Sequence, residues 1–295
     1  RSAPAGDVNG DGYSDVILGG HGLGQGGGTY PGAAYVFLGS SSGLATTDAW
    51  MATGPNDWSR YGYSVNTAGD VNGDGYSDII VAARLAANGQ TDEGKAFVYL
   101  GSSSGVLTTT QWTYETNVTS ATMHSVATAG DVNGDGYSDV IVGVPVMNNG
   151  SSGEGQARVY VGSSSGLVTT VAWSAEPNAT NKYLGRSVSS AGDVNGDGYA
   201  DVVVSAETDG KAYVYHGASG GLSTTANWTG SLTGTIVVAF GGDTNGDGYA
   251  DVLIGSDTYN NGSTNEGFVA LYSGSSSGLA TTSTWTAETN QTDGA

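Results

Sequence analysis

Apolar residues in this chain come in short runs, each cut off by Gly, Ser, Asn or Asp. One series reads VILGG from Val16, IIVAA from Ile79, VIVGV from Val140, VVVSA from Val202 and VLIGS from Val252. A second series reads AAYVFLG from Ala33, AFVYLG from Ala96, ARVYVG from Ala157, AYVYHG from Ala212 and FVALYSG from Phe268. Both are rich in β-branched and aromatic residues and too short for helices, so they predict strands. A Ser/Gly turn follows each second run, and then a Thr-Thr segment that ends at Trp50, Trp112, Trp173, Trp228 or Trp285. A polar loop and one more short segment, such as YGYSVNTAG from Tyr61 or LGRSVSSAG from Leu184, complete the unit. Each unit therefore predicts four strands, and no amphipathic helix is found.

A nearly invariant nonapeptide marks the repeat. DVNGDGYSD begins at Asp7, Asp70 and Asp131, DVNGDGYAD at Asp193 and DTNGDGYAD at Asp243. Units of roughly 60 residues with four strands each fit the blades of a β-propeller better than a sandwich. The residues before Asp7 and after Asp243 add up to roughly one more repeat length. End to end, TAETNQTDGA and RSAPAGD also resemble the internal TYETNVTSATMHSVATAGD. The expectation is an all-β, five-bladed propeller with four-stranded blades. It occupies residues 1–295 as one domain and closes by pairing of its N- and C-terminal segments, so that no edge strand is exposed.

Charge narrows the function classes. The 28 acids outnumber the 8 Lys and Arg, giving a net charge of −20 and arguing against nucleic acid as a partner. No apolar run approaches the ~18 residues of a membrane span, so membrane insertion is not expected. Cys is absent, so no disulfide can brace the fold. The chain opens inside a motif, RSAPAGDVNGDG, and reads as part of a larger protein.

The nonapeptide carries the clearest chemistry. It offers side-chain oxygen at its first, third, fifth and ninth positions, in the first copy Asp7, Asn9, Asp11 and Asp15. Gly12 at the sixth position permits a sharp turn that aims the carbonyl of the seventh residue inward. Alternating oxygen donors on a tightly turned backbone suit one hard cation. Calcium accepts such irregular oxygen sets, and the lack of His or Cys disfavours zinc. About five calcium ions, one per loop, would act as staples between the first two strands of each blade. A catalytic metal would need an adjacent proton acceptor, which these loops lack.

Other residues carry weaker signals. His21, His124 and His216 stand at unrelated repeat positions and read as isolated polar residues. The five repeat-end Trp residues read as packing between blades. Glu115-x-Asn117-x-Thr119, Glu176-x-Asn178-x-Thr180 and Glu288-x-Asn290-x-Thr292 read as solvated turns that are also formal glycosylation sequons. Connections in a four-stranded blade alternate between two faces. The acidic loops and SSSG turns share one face, and nearly all the variable loops share the other, where recognition usually resides. On that second face Tyr30, Trp58, Arg60 and Arg84 are the candidate ligand-binding residues, because aromatic and Arg side chains anchor binding sites.

DVNGDGYSDVIVG, AxVYVGSSSGL and TTxxW together resemble the FG-GAP repeat family (integrin-alpha-like, VCBS-related) across essentially the whole chain. The resemblance implies a calcium-stapled β-propeller, secreted or at the cell surface, that serves adhesion or ligand binding. It carries the metal ligands to Asp7, Asn9, Asp11, Tyr13 (carbonyl) and Asp15. The matching sets are Asp70, Asn72, Asp74, Tyr76 and Asp78; Asp131, Asn133, Asp135, Tyr137 and Asp139; Asp193, Asn195, Asp197, Tyr199 and Asp201; and Asp243, Asn245, Asp247, Tyr249 and Asp251. The first functional reading is a non-enzymatic adhesion or protein-interaction module whose protein or glycan partner binds opposite the calcium loops. The second is a lectin-like propeller, which needs exposed aromatic groups recurring between blades. The third is a calcium-dependent polysaccharide-active enzyme, which needs a unique acid or base in the central funnel.

Overall fold

The computed structural model describes residues 1–24, 29–260 and 265–289. The chain forms five four-stranded antiparallel sheets, each built from four consecutive strands. Blade one holds β1 (Ser2–Gly6), β2 (Asp15–Gly20), β3 (Ala33–Phe37) and β4 (Trp50–Thr53). Blade two holds β5 (Tyr61–Gly69), β6 (Asp78–Ala83), β7 (Lys95–Tyr99) and β8 (Thr110–Glu115). Blade three holds β9 (Ser125–Gly130), β10 (Asp139–Val144), β11 (Gln156–Tyr160) and β12 (Trp173–Ala175). Blade four holds β13 (Leu184–Gly192), β14 (Asp201–Ala206), β15 (Lys211–Tyr215) and β16 (Trp228–Ser231). Blade five holds β17 (Ile236–Gly242), β18 (Asp251–Ser256), β19 (Phe268–Tyr272) and β20 (Trp285–Glu288). This is the five-bladed architecture the repeat predicts. No helix of the described residues is long and apolar enough to cross a membrane.

The first strand of each blade packs against the first strand of the next, from β1 on β5 through β13 on β17. Every first strand ends in a bulge at its last Gly (Gly6, Gly69, Gly130, Gly192 and Gly242), immediately before the acidic loop. An extra residue bends the strand and re-aims the chain leaving it. The second strands of blades two, three and four are buried along their whole length, because a blade covers them on either side. That explains their unbroken apolar runs. A strand with water on one face would alternate instead.

Four apolar clusters fill the four seams between consecutive blades. At each of these seams the Ser or Ala before the ninth-position Asp donates its N–H to the first Asp of the preceding loop. Examples are Ser77 to Asp7 and Ala250 to Asp193, both at 2.9 Å. The Trp ring lies edge-on to a Tyr of the next blade, with Trp50 4.9 Å from Tyr99 and Trp228 4.8 Å from Tyr272.

Pairing between the terminal segments is not seen among the described residues. β1 pairs with β2 and β20 with β19, each inside its own blade, and no described pairing joins the two end sheets. Residues 290–295, part of the expected closing segment, lie outside the described residues. No apolar cluster among the described residues joins blade five to blade one. Instead, blade five leaves an apolar hollow of about 440 Å³ along Val237, Phe268, Val269 and Ala287. The repeat length made the two ends look complementary. Each blade nevertheless already holds its four strands, so neither end needs the other for its hydrogen bonds.

Candidate functional site

The acidic loops project from the end of the first strand on one face of the ring. In the first copy, the Asp7 carboxylate accepts N–H groups from Gly10 (2.7 Å), Asp11 (3.1 Å) and Gly12 (2.8 Å). Asp11 accepts from the Tyr13 N–H at 3.0 Å. Asp15 accepts from Val8 within the loop and from Gly39, at the start of the Ser/Gly turn, both at 2.8 Å. Asp78, Asp139, Asp201 and Asp251 make the same two bonds in their own copies. The ninth-position Asp thereby fastens the acidic loop to the Ser/Gly turn and places both on one face, as the strand count implied.

Among the described residues, no three His, Asp or Glu side chains stand close enough to hold a metal by themselves. The loop carboxylates are turned onto backbone amides. The donor chemistry of the loop still fits calcium. Every polar side chain offers oxygen, and the ninth-position Asp is buried in all five copies. The described ion pairs are Lys95–Glu115, Lys182–Asp209 and Arg186–Glu207, so none neutralises a loop carboxylate. Burial pushes the carboxyls of Asp78, Asp139 and Asp201 up to about 7. Backbone N–H donors oppose that shift, and the neighbouring loop aspartates add to it. A buried carboxylate without a counter-charge is costly, and a cation removes the cost.

The opposite face differs. Tyr30, Trp58 and Arg60 line one cleft of about 250 Å³, together with His21 and Gly22. The Tyr30 and Trp58 rings lie 4.8 Å apart with a 45° tilt. Two loops meet there: the Ser59 hydroxyl and the Tyr61 N–H both donate to the Pro31 carbonyl. Trp58 and Arg60 have φ of 66° and 53°. Asn181 and Tyr183, at the equivalent positions before blade four, hold the same left-handed conformation at 58° and 52°, so this turn belongs to the connection between blades. Arg84 stands next to the cleft rather than in it, its guanidinium 4.8 Å from the Tyr63 ring.

Sequence reasoning expected a central funnel but not the residues that line it beside this cleft. A cavity of about 300 Å³ draws its lining from all five blades, including Arg1, Tyr63, His124, Arg186, Thr235 and Asp257. Two of the histidines that read as isolated meet here. His21 and His124 approach the Tyr63 ring edge-on at 5.3 and 5.4 Å. Burial, and then the charges of Arg84, Arg186 and Arg1, push His124 down to about 3. Tyr63, His124 and Arg186 each stand seven residues before the first Asp of their loop, so one repeat position filled by three different side chains was the signal, hidden because residue identity changes from copy to copy. His216 lies on the acidic-loop face, against Asn195.

Two recurrences find structural work. Trp50, Trp173 and Trp228 donate their indole N–H to main-chain carbonyls of the next blade, at 3.2, 2.9 and 2.9 Å. Four of the five repeat-end Trp residues are buried, which removes the recurring exposed platform a lectin-like reading needs. Glu115 and Glu176 accept the side-chain N–H groups of Asn88 and Asn149 and so hold the neighbouring loops; Asn290 lies outside the described residues.

Known proteins place this geometry. A model of the FG-GAP-like repeat matches residues 7–81, 70–142 and 193–254, and one of the FG-GAP repeat matches residues 124–161. Integrin alpha-8 of Gallus gallus is 30% identical over 225 residues, covering 72% of this chain and 20% of the relative. Integrin alpha-IIb of Mus musculus is 32% identical over 165 residues, covering 53% of this chain and 16% of the relative. The chain thus spans a fifth or less of the length of these relatives. Among solved structures, Saccharomyces cerevisiae Sqt1 shares the fold at 11% identity and a TM-score of 0.51, over 92% of this chain and 57% of that one. With the family matches spread over all five acidic loops, the chain belongs to the FG-GAP, integrin-like repeat family.

Proposed function

We propose that this propeller is a calcium-stapled adhesion or protein-interaction module, working outside the cell or at its surface, that binds its partner opposite the acidic loops. One observation carries the binding site: Tyr30, Trp58 and Arg60, from two different loops, share one cleft on the variable face, with both aromatic rings exposed. The loops of the other face repeat almost residue for residue and offer a partner little to distinguish. Membership of the integrin-like family and the similarity to integrin alpha chains support the adhesion reading. Asp7, Asn9, Asp11 and Asp15, with the carbonyl of Tyr13, would hold one calcium ion, and the other four loops one each. The ion would neutralise the clustered carboxylates and tie the loop to the strands it joins. This role is structural.

The test is capture of extracellular proteins by the immobilised, calcium-loaded chain, compared with Trp58→Ala and Tyr30→Ala. A partner held by the unmodified chain is expected to be lost from both variants, whose melting curves stay unchanged. Retention of every captured protein by both variants would place the site elsewhere.

A further inference from the structure

The chain carries 28 acids against 8 Lys and Arg, so an Arg placed at random should find a carboxylate. Around the axis of the variable face the opposite occurs. Arg1 and Arg84 lie 5.7 and 4.8 Å from the centre of the same Tyr63 ring, and Arg186 lines the funnel with Arg1. Arg60 lines the adjoining cleft. Among the described residues, Arg1, Arg60 and Arg84 form no ion pair, while Arg186 reaches Glu207 at 3.4 Å. The Arg84 Nε is buried and without a hydrogen-bond partner, and its Nη1 reaches only the Tyr63 hydroxyl, at 3.4 Å. Arg84 lines neither pocket; from beside the Tyr63 ring its unpaired charge adds to the positive field of the funnel rather than making a direct contact. Hydroxyls of Ser64, Ser125, Ser187 and Thr235 add neutral donors around the funnel, and Asp257 is the acid on its rim.

We propose that the axial funnel and the Trp58 cleft form one cationic groove that receives the carboxylate side chains of an acidic peptide segment in a partner protein. This rests on the reading of the variable face as a protein-binding surface and names the partner's chemistry. An acidic polysaccharide also supplies carboxylates, but it needs a free aromatic face for a sugar ring. Tyr30 and Trp58 are exposed but tilted 45° to each other, 4.8 Å apart, so they make no flat shared platform. Two small adjoining pockets suit separate side chains from one backbone. In a protein of net charge −20, a local positive groove also sets the orientation in which an acidic partner can approach.

The experiment is fluorescence anisotropy of a short fluorescein-labelled poly-glutamate peptide with the full 295-residue chain. Free calcium is held constant, and poly-glutamine and sodium polygalacturonate are run as parallel probes. Poly-glutamate is expected to bind and poly-glutamine not, with affinity falling about tenfold between low and physiological salt. Arg84→Gln and Arg60→Gln should each weaken binding about fivefold or more, with the melt confirming that both variants fold. Arg158→Gln serves as the control, because Arg158 in blade three is occupied by Gln156 and by the Tyr114 hydroxyl of blade two. No poly-glutamate binding, equal losses in Arg158→Gln, or binding of polygalacturonate alone would each overturn the proposal. If a captured protein is lost on Trp58→Ala but kept by both Arg variants, the variable-face site stands and the acidic-peptide inference falls.

Discussion

Between blades three and four, the notch at Gly134 lies under the ring of Tyr199, where an added Cβ would come within 2.6 Å of the aromatic edge. On blade five the same notch, Gly246, has no atom of the described residues within 4 Å of that position, although its φ of 76° matches the 74° of Gly134. The contrast extends across the whole seam. Trp228 is 8% exposed and donates to Ala280 of the next blade, while Trp285 is 53% exposed. Tyr76, Tyr137, Tyr199 and Tyr249 are partly covered by the preceding loop, but Tyr13 lies open. The repeat supplies the same residues at both kinds of seam. Whether they stabilise the fold depends on the neighbouring blade, as in other repeat architectures where interface energy belongs to pairs of units.

Chelation should test the comparison most severely. A site held at 100 times its dissociation constant adds ~2.7 kcal/mol. Chelator should therefore lower the melting temperature by many degrees in calorimetry, with magnesium restoring it poorly. The loops that begin at Asp7, Asp70, Asp131 and Asp193 also brace a seam through their first Asp carbonyl. Loosening should therefore reach the four packed seams, read as faster amide exchange in β5, β9, β13 and β17. A melt indifferent to excess chelator would remove calcium from the account.

The Trp pair comes next. Trp228→Ala should cost about 3–5 kcal/mol, since it empties a packed seam and orphans the Ala280 carbonyl. Trp285→Ala should stay within about 0.5 kcal/mol, as exposed positions do. Equal losses at the two sites in urea melts would mean that blade five is covered in solution.

Gly134→Ala against Gly246→Ala is the smallest and cleanest test. Both variants carry the same left-handed backbone strain, so subtracting one stability change from the other leaves the clash with Tyr199. That residue should be about 1–3 kcal/mol, the usual cost of overpacking. A difference near zero would show that the Tyr199 ring moves aside without cost.

The strands, their grouping into five blades, the acidic loops and the assignment of faces were all legible in the amino-acid sequence. Each rests on a pattern confined to a few neighbouring residues. Runs of Val and Ile bounded by Gly and Asn specify strands, and DVNGDGYSD specifies its own turn by folding Asp side chains back onto nearby amides. Near-identity of the repeats then multiplies one local reading by five. Tertiary structure alone decided what lies beyond a repeat's own length. Tyr30 and Trp58 meet because the Pro31 carbonyl ties blade one's β2–β3 loop to the connection between blades one and two. His21 and His124 reach the same Tyr63 ring from either side because three blades converge on the axis. Trp285 and Gly246 sit in nearly the same repeat motif as their equivalents, yet among the described residues they face no partner. Packing between blades is a relation between surfaces far apart in the chain, and a local pattern carries no information about which surface arrives.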